Sequence, residues 1–129
     1  MSNPAIDAWL HTPQGKYILE WEQARFDQMV ADIFGFNAVQ IGLPQHDFLR
    51  ANRMSLRLRC DDGIIAEDGS PVSIDVRTCP HSLPFANASV DLVILPHVLE
   101  FSAMPHQILR EVERILVPEG SVIIAGFNP

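Results

Sequence analysis

Apolar positions change their spacing along this chain, and each change marks an element. Between Gly15 and Phe34 the residues Leu19, Phe26, Met29, Val30 and Ile33 recur at helical spacing, which predicts a helix with one core-facing side. Thr12 is placed to cap it, Pro13 suits its first position and Gly35 supplies a stop. Upstream, Ala5 to Leu10 predicts a short turn that packs Trp9 onto this helix. Asn37 to Ile41 reads as a short buried strand ending at Gly42-Leu43-Pro44, and Asp47 to Asn52 as a helical turn. In Ser55 to Cys60, Leu56 and Leu58 alternate with Arg57 and Arg59, the period of a half-buried strand near a sheet edge.

Asp61-Asp62-Gly63 and Glu67-Asp68-Gly69 are turn signals. The segments Ile64 to Ala66 and Val72 to Val76 between and after them predict short strands in an edge hairpin. Val90 to Leu95 reads as a central parallel strand covered on both faces. Ser102 is placed to cap a helix whose stripe is Ile108, Leu109, Val112, Ile115 and Leu116, with Arg110, Glu111, Glu113 and Arg114 pointing away from it. Pro118 and Gly120 end that helix, and Val122 to Ala125 forms the next buried strand. Strands alternating with helices over short connections predict an α/β fold with a doubly wound, mostly parallel sheet. The length of 129 residues suits a single domain, with residues 1–36 as a helical lead and 37–129 as the α/β core.

Charge narrows the partners. Nine basic against sixteen acidic side chains give a net charge of −7, which argues against nucleic acid and anionic membrane surfaces as partners. Arg50, Arg53, Arg57 and Arg59 read as a solvated helix end and strand face, or alternatively as an anion site. Cys60 and Cys79 have neither metal spacing nor a disulfide framework, and the five histidines show no zinc-ligand spacing, so no metal site is expected. With no signal peptide and no membrane-spanning apolar run, the expected location is the cytoplasm.

The last third carries the most specific pattern. Leu83-Pro84-Phe85, Ser89-Val90-Asp91 opening a strand, His97-Val98-Leu99-Glu100, the helix with Leu109, Glu111 and Arg114, then Pro118-Glu119-Gly120 and a strand follow in order. This block resembles the class I S-adenosylmethionine-dependent methyltransferases. The resemblance implies a Rossmann-like sheet in the family order 3-2-1-4-5-7-6 and S-adenosylmethionine as cofactor. It covers Val39 to Pro129 and stops after the fifth strand, so the last helix and strands six and seven are expected to be absent. An apolar fifth strand left as an edge then predicts a homodimer, joined through that strand or the adjacent helices.

The resemblance also assigns site residues at the carboxyl ends of the strands. Gly42 and Leu43 fall in the loop that approaches the methionine part of the cofactor. Only Gly42 matches the glycine-rich pattern there, while Leu43 and Pro44 add bulk and Pro44 removes an amide donor. Gly42 is equally readable as an ordinary tight turn. Asp61 is the candidate acceptor for the ribose hydroxyls, or with Asp62 simply a solvated turn. Leu83 is the candidate cover for one adenine face. Pro96 and His97 stand where methyl and acceptor meet; His97 either takes a proton from the acceptor or packs under the site with local hydrogen bonds. The implied activity is methyl transfer to a small molecule. The alternatives are a non-catalytic binding module that keeps the fold, favoured by the atypical loop, and a doubly wound domain for another nucleotide. No Gly-x-Ser-x-Gly elbow or P-loop occurs.

Overall fold

Two helices precede the sheet: α1 (Pro4–Leu10) and α2 (Pro13–Ala31). The coordinates are a computed structural model that describes residues 4–63 and 74–126. Thr12 caps α2 as its position predicts: its hydroxyl accepts the Gly15 N–H at 3.1 Å and donates to the Trp9 carbonyl at 2.6 Å. A Cβ on Gly15 would collide with that same carbonyl, so glycine is what lets α1 fold back onto α2. The contact is therefore made by the Trp9 backbone, while Ile6 and Leu10 are the buried side chains of α1 and the Trp9 ring is exposed.

α2 stops at Ala31, short of the expected Phe34. The Asn52 side chain donates to the carbonyls of Val30 and Ile33 at 2.9 and 3.1 Å, satisfying acceptors that a helix end leaves open. The buried line of α2 is Gly15, Glu22, Phe26 and Val30. Met29, expected on the core side, lies half exposed on the flank, because the helix is rotated to bury Glu22.

The five described strands are β1 (Asn37–Ile41), β2 (Leu56–Asp61), β3 (Val76–Arg77), β4 (Val90–Pro96) and β5 (Leu116–Ala125). They lie in the order β3-β2-β1-β4-β5, with every pairing parallel. Alternate residues of the central strands feed two apolar layers. Ala38, Leu92 and Ile94 pack with Phe26 and Val30 of α2 and with Phe48, Leu49 and Met54 from the β1–β2 connection. Val39, Ile41, Val93 and Leu95 pack with Ile108, Val112 and Ile115 of α3 (Pro105–Ile115). A helix on each face makes the sheet doubly wound. Phe48 and Phe26 meet with ring centroids 4.8 Å apart. Most of the predicted edge hairpin, residues 64–73, lies outside the described residues, and Val76 joins β3 in a parallel pairing with β2.

Leu116, expected on the apolar stripe of the second helix, instead opens β5. Val90 pairs with Leu116 but Leu92 pairs with Ser121, so Val117 to Gly120 bulge out of register. Ser102 lies one turn ahead of α3 and accepts the Met104 N–H at 3.0 Å. Asp91, within the apolar strand β4, accepts the N–H groups of Phe36 and Asn37 at 2.9 and 3.0 Å and fixes the approach to β1.

Two polar residues of α3 hold the segment before β4. Glu111 accepts the Leu83 N–H at 2.8 Å, and Arg114 donates to the carbonyls of Leu83 (2.8 Å) and Phe85 (2.7 Å) and to Asn87 (2.9 Å). Glu111 and Arg114 also pair at 2.8 Å, and the guanidinium holds the Glu111 carboxyl below the usual carboxylate range. Facing away from the helix's apolar stripe thus means gripping Leu83-Pro84-Phe85. Replacing Arg114 with alanine is expected to lower stability measurably in urea unfolding, because charge-assisted bonds to two carbonyls are lost. Lysine should recover little of it, since one ammonium cannot reproduce the planar fork.

Candidate functional site

All five strands run parallel, so their carboxyl ends share one rim, and the loops after β1, β2, β3 and β4 open there. From β1 the chain steps outward to β2 and β3, whereas β4 and β5 lie on its other side. The crevice between β1 and β4 is therefore the switch point where open α/β sheets bind ligands.

The loop after β1 is organised by a side chain inside the strand. Gln40 is fully buried; its amide nitrogen donates to the carbonyls of Gly42 (3.1 Å), Leu43 (3.0 Å) and His46 (2.8 Å), and its oxygen accepts the Phe48 N–H (3.0 Å). Gly42 and Leu43 both have positive φ, 90° and 43°. At Gly42 this conformation suits glycine, and a Cβ would stand 2.5 Å from Val98 Cγ2. The Gly42 N–H extends the ladder to the Cys60 carbonyl at 2.9 Å. Leu43 turns its side chain into the α2-side core, and Arg59 donates to the Pro44 carbonyl at 2.9 Å.

At the end of β2 the two adjacent aspartates separate. Asp61 is 2 % exposed, whereas Asp62 faces solvent. Burial raises the Asp61 carboxyl above its ordinary value, and the charge of Asp62 adds to this. Asp61 accepts the Gly63 N–H at 3.3 Å, and its carbonyl accepts the Thr78 N–H at 2.8 Å, tying the β2 and β3 loops together. Burial pushes the neighbouring Cys60 thiol up to about 12, so it stays a neutral core residue.

Leu83 is buried in the α3-side cluster with Ile41 and Val98. Pro96 closes β4, and its carbonyl lies 3.7 Å from the position of a Cβ on Gly42, so the β1 and β4 loops abut. His97 follows with φ of 55°, and its N–H donates to the Ala125 carbonyl at 2.8 Å. Its side chain is 2 % exposed. Nε2 lies 2.7 and 2.8 Å from the Glu22 carboxylate oxygens, and Nδ1 lies 3.2 Å from Glu100 Oε2. Burial by itself would lower the His97 pKa, but the two carboxylates outweigh it and leave the value raised.

Gly42, Leu43, Pro96 and His97 thus come together at the crevice, Asp61 borders it at the end of β2, and Leu83 lies in the layer beneath. Glu22 and Gln40 are site residues that pattern reading passes over. Each carries a signal in retrospect: Glu22 shares a helix face with Phe26 and Val30, and Gln40 interrupts a buried strand. Among the described residues no group of three or more His, Cys, Asp or Glu is arranged to hold a metal, and no helix is long and apolar enough to cross a membrane.

Comparison with known proteins agrees with this layout. Residues 61–124 match the methyltransferase domain family. The uncharacterized protein YafS of Escherichia coli is 30% identical over 131 residues, covering 97% of this chain and 50% of the relative. The uncharacterized protein Rv2003c of Mycobacterium tuberculosis is 27% identical, covering 97% and 43%. The chain therefore spans about half the length of the curated relatives it matches. Among solved structures, a protein of Haloferax volcanii assigned as a methyltransferase, in complex with the Trm112 methyltransferase activator, superposes with a TM-score of 0.65 at 23% identity. That match covers 94% of this chain and 58% of the other. Residues 61–124 thus match the methyltransferase domain family, and the parallel sheet has the Rossmann-like fold and strand order of the class I S-adenosylmethionine-dependent methyltransferases.

Proposed function

We propose that this chain binds S-adenosylmethionine in the crevice between the β1 and β4 loops and serves methyl transfer to a small-molecule nucleophile. The observation that carries the reading is Asp61, a carboxylate only 2 % exposed at the carboxyl end of β2. A buried acid there suits a ligand that offers paired hydroxyls. Gly42 and Leu43 present backbone rather than side chain to the crevice, which suits close approach of the cofactor's methionine part. Leu83 supplies apolar surface on the adenine side, and Pro96 brings the end of β4 up to Gly42. When bound, S-adenosylmethionine supplies a methyl already activated by its sulfonium, so holding the nucleophile in line does most of the work. In this reading His97 shapes the loop and leaves the acceptor's proton to solvent, because both ring nitrogens already face carboxylates.

Calorimetric titration with S-adenosylhomocysteine tests this. Saturable binding supports the reading. No heat at high ligand concentration overturns it and favours the second one, a non-catalytic binding module. One observation speaks for that second reading: Gln40 draws the Gly42, Leu43 and His46 carbonyls inward, and Pro44 has no N–H to offer. Binding is therefore expected to be weaker than with a glycine-rich loop, and Pro44→Gly, which restores a donor, should tighten it severalfold. Leu43→Gly is a poorer choice, since the leucine fills core space.

The reading extends to a protein partner, since the Haloferax volcanii neighbour is held by an activator. Among the described residues β5 is hydrogen-bonded on one side, to β4, and exposes Val122 and Ile124. A second copy of this chain pairing along that edge would cover both. Light scattering at twice the 14.4 kDa chain mass supports the pairing, and a monomer at high concentration overturns it. A cytoplasmic location completes the proposal.

A further inference from the structure

Glu22 sits on the buried face of α2, where a lone charge would be costly. Its partner is His97, across 75 residues of chain. An ionised carboxylate has no hydrogen to donate, so each ring nitrogen in reach of one must carry its own. With Glu22 at Nε2 and Glu100 at Nδ1, both ring nitrogens face carboxylate oxygens, an arrangement that favours the doubly protonated ring. The backbone at this residue is left-handed, uncommon for histidine and sustained only where surroundings determine it. Directly after it, Val98 folds over Gly42.

We propose that Glu22 is a positioning residue: reaching from α2, it locks the His97 ring and thereby fixes the turn that seats Val98 on Gly42 and shapes the mouth of the β1–β4 crevice. The N-terminal helix is in that case part of the site. The ligand arm of this inference rests on the proposed cofactor binding; the rest does not.

The charged groups around the ring are few among the described residues. Glu22 faces it from α2 and Glu100 from the 3-10 turn Leu99–Phe101. From β5 the Ala125 carbonyl accepts the His97 backbone N–H, and the backbone of Gly126 lies against Glu100. Arg25, one helical step from Glu22 in the same cleft, lies over the Trp21 ring at 5.8 Å. The folded-state His97 value is raised, so the lock is fully made below the ordinary histidine value of about 6.5 and is lost as pH rises through the folded value.

Imidazole nitrogen NMR on the full chain tests this, with His97 identified by its missing signal in His97→Asn. In the unaltered chain His97 is expected to stay doubly protonated to a pH above the ordinary histidine value of about 6.5. Glu22→Gln keeps the shape but removes the charge, so the His97 titration should move to lower pH and the amide signals of Val98 and Gly42 should shift. S-adenosylhomocysteine binding should weaken about tenfold, as for one lost charge-assisted contact, and Glu22→Asp should recover part of it. An unchanged His97 titration, or unmoved Val98 and Gly42 signals, overturns the inference. If the unaltered chain binds no S-adenosylhomocysteine, the proposed function falls, while the titration and the two amides still decide the role of Glu22.

Discussion

Replacing Gln40 with leucine is expected to lower the unfolding free energy by about 3–5 kcal/mol, although the two side chains are close in size. Gln40 is fully buried in β1 and its amide serves three carbonyls and one N–H of the following loop. Leucine leaves those four groups without that partner, and each buried group left so costs about 1–3 kcal/mol. Movement of the loop toward water returns part of the cost, which keeps the total below the sum. Urea unfolding checks the value, and a loss under about 1 kcal/mol would mean the loop holds its shape without the amide. Gln40→Glu should be no milder, because a carboxylate offers no donor to the three carbonyls.

The second large effect is expected in ligand binding. Asp61→Asn should weaken S-adenosylhomocysteine binding by roughly 1.5–3 kcal/mol, about ten- to a hundredfold or slightly more. Because burial raises the Asp61 pKa, binding should weaken as pH falls through that value, above the ordinary aspartate value of about 3.9. Stability of the free protein runs the other way. A carboxyl raised in the folded state makes ionisation costlier there, so its contribution declines as pH rises through the raised value. Asp62→Asn removes a neighbouring negative charge and should move the binding profile to lower pH without weakening binding at neutrality. Calorimetry across pH on both variants separates the two aspartates, and equal small effects would remove Asp61 from the site.

Much of the architecture is readable before any coordinates. The helical stripe of α2 and the apolar run of β4 report burial that the chain carries in its own order, whereas β2 does not follow its alternation: burial rises along it from exposed Leu56 to buried Cys60 and Asp61. Such elements with short connections predict a doubly wound parallel sheet, while the strand order is what the family resemblance of the last third implies. Element ends are less readable. α2 stops at Ala31 because Asn52, far along the chain, satisfies its last carbonyls. Leu116 leaves the helix for β5 because β4 offers it a ladder.

The same division runs through the site. The residues at the strand ends, Gly42, Asp61, Pro96 and His97, were marked by position in a recurring motif order. Their states depend on contacts that sequence order does not encode. Asp61 and Asp62 are the same residue type side by side, yet one is buried at a strand end and the other faces water. His97 is readable as a base until α2 brings Glu22 to its Nε2. Composition and periodicity alone determined an acidic, doubly wound α/β chain with its loops gathered at one rim. Tertiary packing decided which of those loop residues are charged, shielded or held, because pKa and hydrogen bonding depend on what stands within a few ångströms, and that is set by distant segments meeting in space.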